Sequence, residues 1–192
     1  MEKVKYYFFA GLLVVIILTI CSIHYSTVGR VVGSLNVTIY SLASLNFTVN
    51  SIDFGSGSVF LNSSSAEIDT QGGVIGGNWT PVNGGFIIEN MGNINLSVFL
   101  KSEKNAVEFL GGTNPGYYYL FSNLEQNSCT VNATAMNVWN SVNTSGYGSN
   151  LCENMQYLDS NDSLRVDLKL VIPSDAIGGS RTDVLTVTGI NI

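Results

Sequence analysis

The chain has 192 residues, 45% hydrophobic and only 11% charged, with a formal net charge of −6 and a pI near 4.5. That balance argues against nucleic acid as a partner, and the aliphatic and aromatic content argues against intrinsic disorder. Low charge with abundant Asn, Ser, Thr and Gly is unlike a cytosolic enzyme and fits an exported, β-rich domain.

The first element is the charge-free apolar run Tyr6–Ile23, set behind Lys3 and Lys5. As a helix it covers roughly 27 Å, close to the ~30 Å hydrocarbon thickness of a bilayer. Its Phe, Leu, Val and Ile side chains together favour insertion by about 3–6 kcal/mol. The two lysines place the N-terminus inside and residues 25–192 outside. The run is longer than the apolar core of most signal peptides, which favours an uncleaved anchor. Thr27-Val28-Gly29 nevertheless supplies a small-x-small cleavage site. Cys21 follows a lipobox-like stretch, but Ile20 is too large at the position before it.

Beyond the run the apolar period is two rather than 3.6. Arg30–Leu45 alternates well enough to be a strand, and Leu45–Ile52 is a second, closed by the turn Asp53–Gly57. Phe86–Asn90, the turn Met91–Asn93 and Leu96–Leu100 read as a hairpin. Tyr117–Phe121 is an aromatic strand. The segment Asn132–Met155 is the least regular, with a short helix expected over Ala135–Asn140. Leu164–Leu170 alternates strictly, so Arg165, Asp167 and Lys169 are expected to face water. Pro173 breaks it, Gly178–Gly179 turns the chain, and Val184–Thr188 is the last strand. The expected fold is mainly β: an antiparallel β-sandwich, Ig-like or jelly-roll, preceded by one N-terminal transmembrane or signal helix. The expected organisation is a helix over 1–23, a connecting segment over 24–44 and an extracytoplasmic domain over 45–192.

Of the three cysteines, Cys129 and Cys152 are the pair in the outer domain, and an oxidising compartment would join them. Eight sequons supply glycosylation candidates: Asn36, Asn46, Asn62, Asn78, Asn95, Asn132, Asn143 and Asn161. Each carries Ser or Thr two positions on, although a chain this rich in those residues makes some by composition alone.

Residues for catalysis are scarce. The single histidine, His24, lies at the outer edge of the apolar run, so no Ser–His–Asp or Cys–His arrangement is expected in the outer domain. Asp53, Glu67, Asp69, Glu89, Asp159 and Asp162 are available for paired-carboxylate chemistry, but no spacing singles out two of them. Asp159–Ser163 is an oxygen-rich turn without the spacing or trailing Glu of an EF-hand. We therefore expect no catalytic, cofactor or metal site. Trp79, Trp139, Tyr117, Tyr118, Tyr119, Tyr147 and Tyr157 supply either core or a sugar-stacking platform.

The stretch Phe86-Ile-Ile-Glu-Asn-Met-Gly-Asn-Ile-Asn-Leu-Ser-Val-Phe-Leu100 resembles a hairpin of exported Ig-like and jelly-roll surface modules. Among these are archaeal S-layer-associated domains and TasA/camelysin-like fibre subunits. The tail Leu164–Ile192 resembles their closing hairpin. The matching stretches cover about a quarter of the chain, in turn chemistry shared by many sandwiches. The resemblance implies a non-enzymatic structural or adhesive protein, assembling by donor-strand exchange through Val31, Leu35, Val37 and Ile39. Two other readings stand beside it: a type IV pilin-like or archaellin-like filament subunit, and a carbohydrate-binding surface module. The expected partners are a membrane, through Tyr6–Ile23, and other copies of the chain or other envelope proteins. The expected location is the cell surface, membrane-anchored or secreted.

Overall fold

In a computed structural model that describes residues 3, 5–7, 9–13, 34–131, 134 and 136–192, the chain divides into two units, Met1–Ile39 and Tyr40–Ile192. In the first unit, the described residues between Lys3 and Leu13 are helical and exposed. Among the described residues no helix is long and apolar enough to cross a membrane. The second half of Tyr6–Ile23, with His24 and Val31, lies outside them. Residues 34–39 carry no regular secondary structure.

The second unit is mainly β and antiparallel. In chain order it contains β1 (Leu45–Val49), β2 (Ser65–Asp69), β3 (Val74–Ile75), β4 (Phe86–Asn90), β5 (Leu96–Ser102) and α1 (Ala106–Leu110). These are followed by β6 (Gly116–Asn123), β7 (Asn140–Ser141), β8 (Ser149–Met155), β9 (Ser163–Pro173) and β10 (Leu185–Asn191). One sheet has seven strands built around β9, and the other runs β10-β5-β8. Along one flank of β9 lies β6, from Gly116↔Val171 to Asn123↔Leu164. The other flank is shared by β4, at Ser163–Val166, and β2, at Lys169–Pro173.

Alternation in β9 decides where the core sits. Leu164, Val166, Leu168 and Leu170 join Ile68, Ile88, Tyr119 and Phe121 from the first sheet in one cluster with Leu96, Val98, Leu100, Leu151 and Met155 from the second. Each such aliphatic side chain contributes about 1.5–3 kcal/mol by leaving water. Cys129 and Cys152 are bonded and buried in the same cluster. The helix α1, which periodicity did not reveal, opens on a capping box: Asn105 accepts from the Glu108 N–H, and Glu108 accepts from the Asn105 N–H.

Several expectations are corrected. Phe86–Asn90 and Leu96–Leu100 do not pair as a hairpin, because β4 lies in the seven-stranded sheet and β5 in the other. Between them the chain crosses the core edge, held by the buried Asn90 side chain. That side chain donates to the Ile94 and Gln156 carbonyls and accepts from the Gly92 N–H. The tail follows the same rule: β9 and β10 lie in different sheets, and β10 pairs with β5 from Leu185↔Ser102 to Asn191↔Leu96. Among residues 34–44 no strand forms, since that stretch has no ladder partner; strand structure starts at Leu45. In place of a helix over Ala135–Asn140, the described residues Met136–Val138 turn and Asn140 enters β7.

Candidate functional site

Asp167 sits on the outer face of β9, as alternation requires, yet it is buried rather than facing water. The cause is a gap in the sheet. Neither β4 nor β2 reaches the stretch of β9 at Asp167–Leu168, and Thr70 fills it. The Thr70 N–H donates to the Leu168 carbonyl at 3.0 Å, and the Leu168 N–H donates to the Thr70 hydroxyl oxygen at 3.0 Å. That hydroxyl in turn donates to Asp167 Oδ1 at 2.7 Å. At Gly85 the chain returns against β9 so closely that a Cβ would collide with the Val166 carbonyl and sit 2.8 Å from Asp167 Oδ1. Only glycine allows that approach.

Around this plug a polar cleft of about 440 Å³ opens, lined by Gln71, Asn83, Ser122, Arg165 and Asp167. Arg165 and Asp167, two apart on one strand face, form an ion pair at 2.7 Å, with Arg165 Nε also donating to both carboxylate oxygens. Arg165 Nη2 reaches the Thr70 carbonyl, and Gln71 Nε2 donates to Asp167 Oδ2. The carboxylate is thus saturated, while the guanidinium, one third exposed, keeps Nη1 free among the described residues.

A second cleft of about 260 Å³ lies where the two sheets meet at β1 and β10, lined by Ala43–Leu45, Leu96 and Val187–Gly189. Gly189 belongs there because a side chain would strike Leu45 and Leu96. The chain entering this cleft is pinned by Asn93, whose backbone N–H donates to the Leu42 carbonyl and whose Oδ1 accepts from the Leu42 N–H. Asn93 Nδ2 donates to the Tyr40 carbonyl. The outer edge of β10 makes no backbone hydrogen bond among the described residues.

The residues singled out in the sequence are scattered. Leu35, Val37 and Ile39 are 94%, 79% and 84% exposed, and Val31 lies outside the described residues. Asn36, Asn46, Asn62 and Asn78 are exposed; Asn95, Asn143 and Asn161 are half-buried, and Asn132 lies outside the described residues. Asn95 Nδ2, the atom a glycan would take, donates to Asn154 Oδ1 at 2.9 Å. The aromatics form no single platform. Tyr117 and Tyr119 are buried, Trp79 covers Gly57 and Gly77, Tyr147 packs on Phe99, and Lys169 sits over the rings of both Tyr118 and Trp139.

The carboxylates are equally dispersed. Asp53 and Asp69 cap their own turns, Glu67 lies 3.5 Å from Lys169, and no group of three or more metal-ligating side chains assembles among the described residues. Desolvation raises the Asp162 carboxyl; Ser163 opposes this, and the charges of Glu125 and Asp159 add to it. The polar cleft escaped sequence reading because Thr70, Asn83 and Ser122 carry no motif; the one usable signal was an Arg–Asp pair in a strand lined by leucines.

No family model, no curated protein and no solved structure matches this chain.

Proposed function

We propose that this chain is a non-enzymatic cell-surface protein, a β-sandwich of Ig-like or jelly-roll type that associates with copies of itself by strand addition. In this reading Tyr6–Ile23 tethers the chain to a membrane, or is removed after Gly29 and frees the segment behind it. The supporting observation is the pairing of two features. Leu35, Val37 and Ile39 alternate with polar residues and stand almost fully exposed without a ladder partner. Meanwhile β10 keeps an open edge beside a cleft whose lining includes Leu45, Leu96 and Val187. An exposed alternating segment and an open edge are the two halves of a β-augmentation contact. The buried Cys129–Cys152 bond fits an oxidising compartment.

Deleting residues 30–40 from the full chain is expected to leave a folded protein that no longer assembles, measured by electron microscopy and sedimentation of the native material. Assemblies that survive the deletion would refute strand addition. N-terminal sequencing of the mature protein separates the tether from its removal: a start at Met1 means an anchor, and one at Arg30 means a freed strand. A start near Ala10 or Gly11 would favour the pilin-like alternative.

A further inference from the structure

We infer that the cleft over β9 is a binding site for a neutral, hydroxyl-rich ligand, a saccharide, with Asn83, Ser122, Gln71 and Arg165 making the contacts. The argument starts from charge. Arg165 and Asp167 neutralise each other at 2.7 Å inside the cleft wall, so the cleft has no net charge to attract an ion. An anion site needs donors without competing acceptors, and a cation site needs the reverse. This cleft offers both. Arg165 Nη1 and Asn83 Nδ2 are donors without a partner among the described residues, Gln71 Oε1 and Asn83 Oδ1 are acceptors in the same state, and the Ser122 hydroxyl serves either way. A sugar hydroxyl donates and accepts at once, so a wall of interleaved donors and acceptors is its complement.

Rigidity points the same way. Asp167 is locked by Thr70, Gln71 and Arg165, and it orients the guanidinium and the Gln71 amide before any ligand arrives. Asn83 and Gln71 face each other across an isolated β-bridge, so both walls of the loop are fixed relative to β9. The volume falls within the ~300–1,000 Å³ range of small-molecule sites. The open, polar lining and the absence of a free aromatic face fit a weak, lectin-like contact rather than a deep pocket. This site is independent of strand addition, since it lies on the outer face of the seven-stranded sheet and uses none of the residues at β1 or β10.

The test uses nitrogen-labelled full chain in a detergent without a sugar headgroup, titrated with glucose, galactose, mannose, N-acetylglucosamine and, separately, sodium sulfate. At least one neutral sugar is expected to shift the amide signals of Gln71, Asn83 and Ser122 saturably. Asn83→Ala and Ser122→Ala are each expected to weaken that binding by about tenfold, the loss of one or two hydrogen bonds. The exposed Asn62→Ala is expected to leave it unchanged. Asn83 is exposed and makes no intramolecular side-chain bond among the described residues, so its variant keeps the fold, as its own amide spectrum will report. Saturable shifts with sulfate and none with the sugars would overturn the assignment in favour of an anion site. No saturable shift with any of the four sugars would overturn it outright.

Discussion

Arg165 holds Asp167 on the outer face of β9 at 2.7 Å, in the one place where the seven-stranded sheet has no neighbouring strand on that flank. The pair, with the Thr70 hydroxyl, replaces the missing ladder and ties the turn between β2 and β3 to β9. Replacing Asp167 by Ala removes the acceptor that the Thr70, Gln71 and Arg165 side chains share and leaves the guanidinium uncompensated. The expected cost is about 3 kcal/mol, measured by urea denaturation. The double variant Arg165→Met/Asp167→Leu is expected to recover only part of that loss, because it removes the uncompensated guanidinium but still leaves the buried Thr70 hydroxyl without its acceptor. It should at the same time abolish saccharide binding in the cleft.

The Cys129–Cys152 bond closes a loop at a sequence separation of 23 and sits in the core between β8 and the segment before it. Loss of the crosslink in Cys129→Ala/Cys152→Ala is expected to cost about 3 kcal/mol through the greater freedom of the unfolded chain. Thermal unfolding with and without reductant checks this: reductant should lower the midpoint of the native protein and leave that of the variant unmoved.

Burial raises the Tyr117 phenol above its ordinary range, the nearby Asp183 carboxylate adds to the rise, and the Ser102 hydroxyl works against it. The same carboxylate accepts from Ser102 Oγ at 2.5 Å and from the Lys104 N–H, so it cannot turn away. The folded state therefore keeps a proton that the unfolded chain releases from about pH 10. Stability contributed by this group is present below that pH and is lost as pH rises beyond it. Denaturation midpoints of the native protein are expected to fall more steeply above pH 10 than those of Tyr117→Phe. In ultraviolet titration, the ionisation that the native protein shows and Tyr117→Phe lacks should appear only on unfolding.

Much of the fold was legible because strands with one face in the core print their period into the chain. Leu164–Leu170 falls inside β9, Tyr117–Phe121 inside β6, and Leu45 begins β1. Pairing was less legible. Two turn-linked strand pairs read as hairpins, but a turn that reverses the chain within a sheet and one that carries it across to another share the same Gly/Asn chemistry. The difference lies in Asn90, whose amide finds the Gln156 carbonyl from far along the chain.

Composition and period two by themselves determined an acidic, antiparallel, mainly β domain with two cysteines available to pair, since these depend on local preference and on which side chains avoid water. Which strands became neighbours, and that Asp167 would be covered, only the tertiary structure decided. Strict alternation puts a residue on an outer face, but whether that face meets water depends on what crosses it. Here the chain on either side of β3, far earlier in the sequence, supplies Thr70 and Gly85 to close a gap that β2 and β4 leave open.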